Sequence, residues 1–448
     1  MSDRQNSESL WECQPKAWTF VQKSLEDLLG RNAVIAQWKQ RLLSEAGTRL
    51  VDWIDHLTLG HDDVSHEQLS ELGFREETTN CGVWSHAGGL FPRIRYVVES
   101  ADAGVGMKVE SVARFRQLHQ VSDVIGSCHA DFRMATVDAT PAAHLWVVER
   151  HGNQTFESSE PTEIQKQALR EFAEKFRDRP RDSAEGYAVA RQLVTELAAE
   201  IGMDWACDRF FASERDYWQS RNKAAQSQWQ RQDRLGVGWA NHDHHTYRSS
   251  REHFKDLIES FESFGFHCRE RFYAGAQAGW GAQVLEQPGC GLVIFADVDL
   301  SPHEVAGDFA HQGLVVRQEL GTVGLWCQLH GESFLAAGMH HLECQFDFDA
   351  VRKQLADIGI ETMVPFTDFT FLRQAFTQGE RWMIQPDRLQ KLVEMQRLQP
   401  DQAKEFERHG AIGSHLEILE RNEGYKGFNQ TGVSDIIHRT DPRIQHSS

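Results

Sequence analysis

Ala143-His144-Leu145-Trp146-Val147-Val148-Glu149-Arg150 and Ser414-His415-Leu416-Glu417-Ile418-Leu419-Glu420-Arg421 are one strand written twice in a chain of 448 residues. Outward from it, further segment pairs recur in the same order. Asp55-His56-Leu57-Thr58-Leu59 matches Asp243-His244-His245-Thr246-Tyr247, and a helical stretch follows each, at 66–72 and 252–264. Each helix ends at a Gly-Phe pair, Gly73-Phe74 or Gly265-Phe266, and alternating apolar residues consistent with strands come next. Gly106-Met107-Lys108-Val109-Glu110 then matches Gly338-Met339-His340-His341-Leu342-Glu343. Matches that keep a common order mark an internal duplication.

Each half therefore reads as two strand-helix-strand-strand-strand modules, which pair to curve a mixed sheet around a cleft. The expected fold class is α+β, with duplicated βαβββ modules forming two curved mixed sheets and a helical connector between them. The halves are expected at 1–152 and 233–448. The connector, 153–232, is charge-rich and helical in pattern (Ile164, Leu169, Phe172, Phe176, then 189–201), with Arg177-Asp178-Arg179-Pro180-Arg181 as a break. An insertion at 379–410 carries Pro386, Pro400 and a helical run at 389–398. It interrupts the last module and is expected to cover the cleft. Opening helices at 17–29 and 34–46 are expected to pack on the first half.

Composition narrows the function classes. A formal charge of -19 argues against a duplex nucleic acid or an anionic membrane surface as partner, since both reward dense Lys/Arg patches. Eight cysteines lie scattered without a Cys-x-x-Cys pair, which reads as reduced thiols in a cytoplasmic protein. The first residues, 1–14, show no apolar core of a targeting segment, and no run approaches the ~20 apolar residues of a membrane span.

The chemistry follows from which strand residues face the cleft together. Residues two or four apart share a strand face. The first strand of each second-half module and the last strand of that half then offer His244, His341 and Glu417. Two neutral imidazoles and a carboxylate on three strands form a facial triad, which leaves adjacent positions on a metal ion for substrate and dioxygen. His242 shares a face with His244, and His340 adjoins His341, so either is an alternative ligand if the register differs. The matching first-half residues are His56, Lys108 and Trp146. An ammonium and an indole cannot hold a divalent ion, so that half is expected to be metal-free, with Trp146 filling the matching space.

These residues resemble the vicinal oxygen chelate superfamily and, within it, the 2-oxo-acid dioxygenases. Phe371-Leu372-Arg373-Gln374-Ala375-Phe376-Thr377, followed by His415 to Arg421 and Gly427-Phe428, is similar to the end of the 4-hydroxyphenylpyruvate dioxygenases, whose Glu-Ile-x-x-Arg strand binds iron. His244-His245-Thr246-Tyr247-Arg248 resembles the 2-oxoadipate dioxygenase/decarboxylase family, in which an arginine four residues after the metal histidine holds the substrate. The chain departs from the former pattern at Asn429-Gln430-Thr431-Gly432-Val433 and at the 379–410 insertion.

The resemblance implies Fe(II) on His244, His341 and Glu417, with Zn, Ni or Mn as alternatives. It implies a small 2-oxo acid that chelates the metal, and dioxygen beside it, so that the substrate is oxidatively decarboxylated. Arg248 is the expected partner of a distal carboxylate, and Gln374 of the substrate or a bound water. Phe376, Phe428, Asn429 and Gln430 complete the expected substrate wall. Two other readings stay open: a metal-dependent isomerase or lyase of the same superfamily, and a metal-free small-molecule-binding protein. A homo-oligomer is compatible with either.

Overall fold

The computed structural model describes residues 11–78, 81–98 and 102–429. Two mixed sheets dominate it, and their strands follow one order. In the first, Arg75–Glu76, Val83–Ser85, Arg93–Val97, Ile54–Gly60, Gly104–Lys108, His144–Arg150, Phe132–Ala139 and Ser122–Ile125 lie side by side. In the second the sequence is His267–Tyr273, Trp280–Gln287, Leu292–Asp299, His242–Arg248, His341–Gln345, Ala411–Arg421, Leu372–Phe376 and Thr367–Phe369, with Glu380–Trp382 added against Ala411–Arg421. The opening strand of each half runs parallel to the fourth strand of its own module and antiparallel to the opening strand of the next. That is the βαβββ duplication expected of an α+β chain.

The crossover helices follow from local sequence. Ser65 begins His66–Glu71 with a capping box closed by Gln68. Its counterpart Phe254–Ser263 turns Leu257, Ile258 and Phe261 onto the second sheet, where they join Tyr247, Ile294 and Phe266 in one core. Burial of each such side chain stabilises the fold by roughly 1.5–3 kcal/mol. The opening helices, Pro15–Arg31 and Ala33–Arg41, place Val21, Leu25, Ile35 and Trp38 on the first-half core. Among the described residues no helix is long and apolar enough to cross a membrane.

Four helices, Glu163–Arg177, Glu185–Ile201, Met203–Gln219 and Lys223–Arg234, join the halves. Their Phe172, Tyr187, Phe210, Phe211 and Trp218 pack into the second-half core. The break at 177–181 is more than punctuation: Arg179 and Arg181 both donate to the buried Glu214, at 3.0 and 2.8 Å. Loss of one partner from such a buried pairing costs about 3–5 kcal/mol.

The structure corrects two expectations. Residues 379–410 form helices Pro386–Glu394 and Pro400–His409, whose Leu389, Leu392 and Phe406 pack on Leu325 and Leu329 of helix Thr322–His330. The insertion thus buttresses that helix, and none of its residues lines the site cavity described below. The second correction concerns register. Sheet pairing sets Gly104 opposite Thr58 and His341 opposite Thr246, so Gly104 takes the place of His341 and Gly106 that of Glu343. Lys108 lies beyond both; the shared Gly-Met dipeptide is out of phase with the strands.

Candidate metal centre

The centre of the second sheet brings His244, His341 and Glu417 together. One ligand atom from each lies within 4.8 Å of the others, and all three residues are buried. Cross-strand pairing explains the convergence, because His244 stands opposite Glu343, and Glu343 opposite Glu417, on three adjacent strands. His341 Nε2 lies 2.9 Å from Glu417 Oε2. Gln374 Nε2 donates to Glu417 Oε1 at 3.1 Å and to Glu343 Oε1 at 3.3 Å. The remaining carboxylate oxygen of Glu343 contacts His244 Nε2.

Glu343 is therefore a second carboxyl in the centre, one that the motifs did not single out. Its signal was present in the strand period, since it follows His341 by two residues and so shares its face. Together with Asp243 and His244 it forms a second, overlapping group of potential ligands.

Burial sets the protonation states. It drives the His244 imidazole below its ordinary value, although the Asp243 hydrogen bond opposes this. Burial, with Arg248 nearby, pushes His341 down to about 3. Both rings are thus neutral and able to donate lone pairs at neutral pH. Burial raises the Glu417 carboxyl, and burial plus the neighbouring Glu417 raise Glu343 well above the usual carboxylate range. A divalent cation among these atoms would reverse that cost, so the donor set fits such an ion.

Outer contacts orient the ligands. His244 Nδ1 lies 3.2 Å from Asp243 Oδ1, and Arg421 grips the same carboxylate from Nε and Nη2 at 3.1 Å each. Burial resists ionisation of Asp243, but Arg421 and His244 together hold its pKa far below the usual range. Such a carboxylate fixes which histidine nitrogen faces the metal. Arg421 is thus engaged by Asp243, and Arg373 by Asp349 and Asp368, rather than by Glu417.

The alternative histidines fall elsewhere. A bulge at Asp243 breaks the alternation, so His242 pairs with Cys344, and its Nδ1 meets the Trp239 carbonyl at 2.9 Å. His340 sits beside His341, with its Nδ1 3.1 Å from the Gly413 carbonyl and its ring 5.4 Å from that of His415. Both His340 and His415 line the cavity.

That cavity has a volume of about 80 Å³. His244, His341, Glu417 and Gln374 lie on its wall together with Arg248 and Asp297. Arg248 Nε is 3.9 Å from Asp297 Oδ2, and its guanidinium carbon is 5.6 Å from the Trp326 ring centre. Burial pushes the Asp297 carboxyl up to about 8 even though Arg248 opposes the shift. Asp297, near the end of strand Leu292–Asp299, is part of the cavity wall.

Aromatic side chains close the remainder. Phe376 lies 5.1 Å from the His341 ring and 4.8 Å from Phe366, and Phe428 meets His244 edge-on at 5.2 Å. Trp280 also reaches the wall. Asn429 donates to Thr367 Oγ1 at 3.0 Å, and Gln430 lies outside the described residues.

The first half shows the same frame without the donor set. Asp55 Oδ1 lies 2.7 Å from His56 Nδ1, and Arg150 grips Asp55 at 2.7 and 3.0 Å, as Arg421 grips Asp243. Trp146 stands at the place of Glu417, with its ring 6.1 Å from that of His56. A Cβ added at Gly104 would come within 2.7 Å of the Trp146 ring, and one at Gly106 within 2.3 Å of His56. The glycines make room for rings where the second half has His341 and Glu343.

No protein-family model matches the chain, and no curated protein does. Solved structures that match include a proposed hydrolase of Shewanella frigidimarina NCIMB 400, 14% identical, with 50% of this chain and 98% of that one covered and a TM-score of 0.34. A triple mutant of 4-hydroxymandelate synthase from Streptomyces coelicolor is 12% identical over 78% of this chain and 99% of that one, with a TM-score of 0.29. For the hydroxyglutarate synthase from Pseudomonas putida the values are 12%, 59%, 66% and 0.25. Likenesses this distant carry no argument about chemistry, which rests on the residues themselves.

Proposed function

We propose that the protein is a mononuclear non-heme Fe(II) dioxygenase that oxidatively decarboxylates a small 2-oxo acid. The observation that carries this reading is the convergence of His244, His341 and Glu417 within 4.8 Å, on the wall of a cavity that also presents Arg248. Fe(II) bound there would supply electrons to dioxygen and two adjacent positions for the carboxylate and keto oxygen of the substrate.

The chain's own residues do the rest. Asp243 accepts the Nδ1 proton of His244 and so aims Nε2 at the centre. Gln374 fixes Glu417 through its amide N–H. Arg248 follows His244 by four residues on one strand, about 13 Å along the backbone. Its fork is suited to a distal carboxylate, which would hold the substrate between two anchors. Phe376, Phe428 and Phe295 exclude water from the reacting end. A cavity near 80 Å³ suits a small-molecule acid.

One observation favours a second reading. Glu343 stands beside the ligand set without being one of the three, as suits a group that moves a proton on and off a metal-bound carbon acid. A metal-dependent isomerase or lyase would use it so. Oxygen uptake separates the two. Anaerobically purified protein loaded with Fe(II) and given a panel of 2-oxo acids should consume dioxygen in step with carbon dioxide release. Deuterium exchange into the substrate from heavy water, with no oxygen uptake, would replace the first reading with the second.

A further inference from the structure

A second cavity, of about 380 Å³, lies between the first sheet, helix Met203–Gln219 and the second-half segment 239–242. Its wall carries five basic side chains, Arg93, Lys108, Arg150, Arg209 and Arg215, against three acidic ones, Asp55, Glu110 and Asp208. Most of these are committed to one another. Arg150 grips Asp55, while Arg209 grips Asp208, which also contacts His151. Glu110 accepts from the Trp239 backbone N–H at 3.1 Å.

Arg93 donates to the Gln154 carbonyl and lies 3.9 Å from Asp55 and 3.7 Å from Glu77, so two cations are left over. Lys108 makes no hydrogen bond or ion pair with the described residues, and carboxylates reach it only at a distance, from Asp55, Asp52 and Asp243. Arg215 is 6% exposed; its Nη1 donates to His245 Nε2 at 3.4 Å, its buried Nε has no partner, and the carboxylates of Glu110, Asp208 and Asp216 act on it only at a distance. Cationic side chains kept in a cavity without a carboxylate in contact are costly to desolvate, and an anion between them offsets that cost. Lys108 registers it directly, since burial lowers its pKa from the ordinary lysine value.

We propose that this cavity binds a small oxyanion, the carboxylate or phosphate group of a metabolite-sized ligand, through Lys108 and Arg215. The site is separate from the metal centre: Lys108 lies on the strand that lost its ligand residues, and Arg215 on the connector. It adjoins the centre through His242, which lines this cavity and stands two residues before His244.

Titration calorimetry of the metal-free full chain tests the assignment, with inorganic phosphate in one arm and glutarate in the other. Saturable binding in either arm is expected, and the stronger arm names the source. Lys108→Met and Arg215→Met should each weaken it roughly tenfold or more, as the loss of one charge-assisted contact does. Lys108→Arg keeps the charge and should retain binding, which guards against a misfolded Met variant. Arg248→Met removes the carboxylate anchor proposed in the other cavity, so saturable binding that persists in this variant and is lost in Lys108→Met belongs to this site. The proposal is overturned if neither anion binds saturably up to roughly 10 mM, or if Arg248→Met abolishes binding that Lys108→Met leaves intact.

Discussion

Trp146 and Glu417 occupy one position in two copies of a strand: Trp146 pairs in parallel register with Gly106, and Glu417 with Glu343. The first copy combines an indole with a glycine, the second two carboxyls. A ring that fills space and an acid that binds a cation are alternative uses of the same point in the fold.

A single divalent ion per chain is the expected consequence. Elemental analysis should return about one metal for the wild type and for Trp146→Ala, because Gly104 and Gly106 bring no ligand to the first half. His244→Ala and Glu417→Ala should lose metal by more than the roughly 10–100-fold that loss of an outer contact costs. Two metals per chain, or full retention by Glu417→Ala, would contradict the assignment.

The glycines themselves can be tested. Gly106→Ala would place a Cβ 2.3 Å from the His56 ring, and Gly104→Ala one 2.4 Å from the His144 carbonyl oxygen. An imidazole can tilt, whereas backbone on a paired strand cannot. Overpacking of this kind costs about 1–3 kcal/mol, so both variants should unfold at lower denaturant, Gly104→Ala the earlier. Metal affinity should not change in either.

Much of this was legible because duplication repeats a pattern and strand period assigns faces. The convergence of His244, His341 and Glu417 needed only that period and the order of the modules. Lys108 shows where the reading failed: Gly106-Met107 and Gly338-Met339 look alike, yet hydrogen-bond register sets strand pairing, and that is invisible in a dipeptide. Glu343 ends the matched segment 338–343, and its spacing from His341 places it on the same face, yet its approach to His244 comes from cross-strand pairing, which the segment does not reveal. Asp297 carries no such signal, because its place on the cavity wall with Arg248 and Trp280 comes from elements far apart in sequence.

Asp243 and Asp55 form a natural control pair, since each holds a histidine and an arginine in its own half. Breaking either buried pair should cost stability, about 3–5 kcal/mol. Only Asp243→Asn should also weaken metal binding, by roughly 10–100-fold, because only His244 faces the donor set. Parallel denaturation curves and metal titrations of Asp243→Asn and Asp55→Asn check this. Equal loss of metal affinity in both would mean that Asp243 acts through the fold alone.

Arg248 tests how the substrate is held. It lies far enough along the strand from His244 to leave the metal ligands intact, and its guanidinium is planar, buried and close to Asp297. If it grips a distal carboxylate, Arg248→Met should raise KM for a 2-oxo diacid by roughly 10–100-fold, the worth of one charged hydrogen-bonded contact. For a 2-oxo monoacid, which lacks that group, KM should barely move. Metal affinity should match the wild type, provided that Arg248→Met, Asp297→Asn is tested beside it, since the single variant leaves Asp297 without its cation. If KM rises equally for diacid and monoacid, Arg248 shapes the cavity and does not read the substrate. Steady-state kinetics on the two substrate classes, with metal titrations of both variants, separates those outcomes.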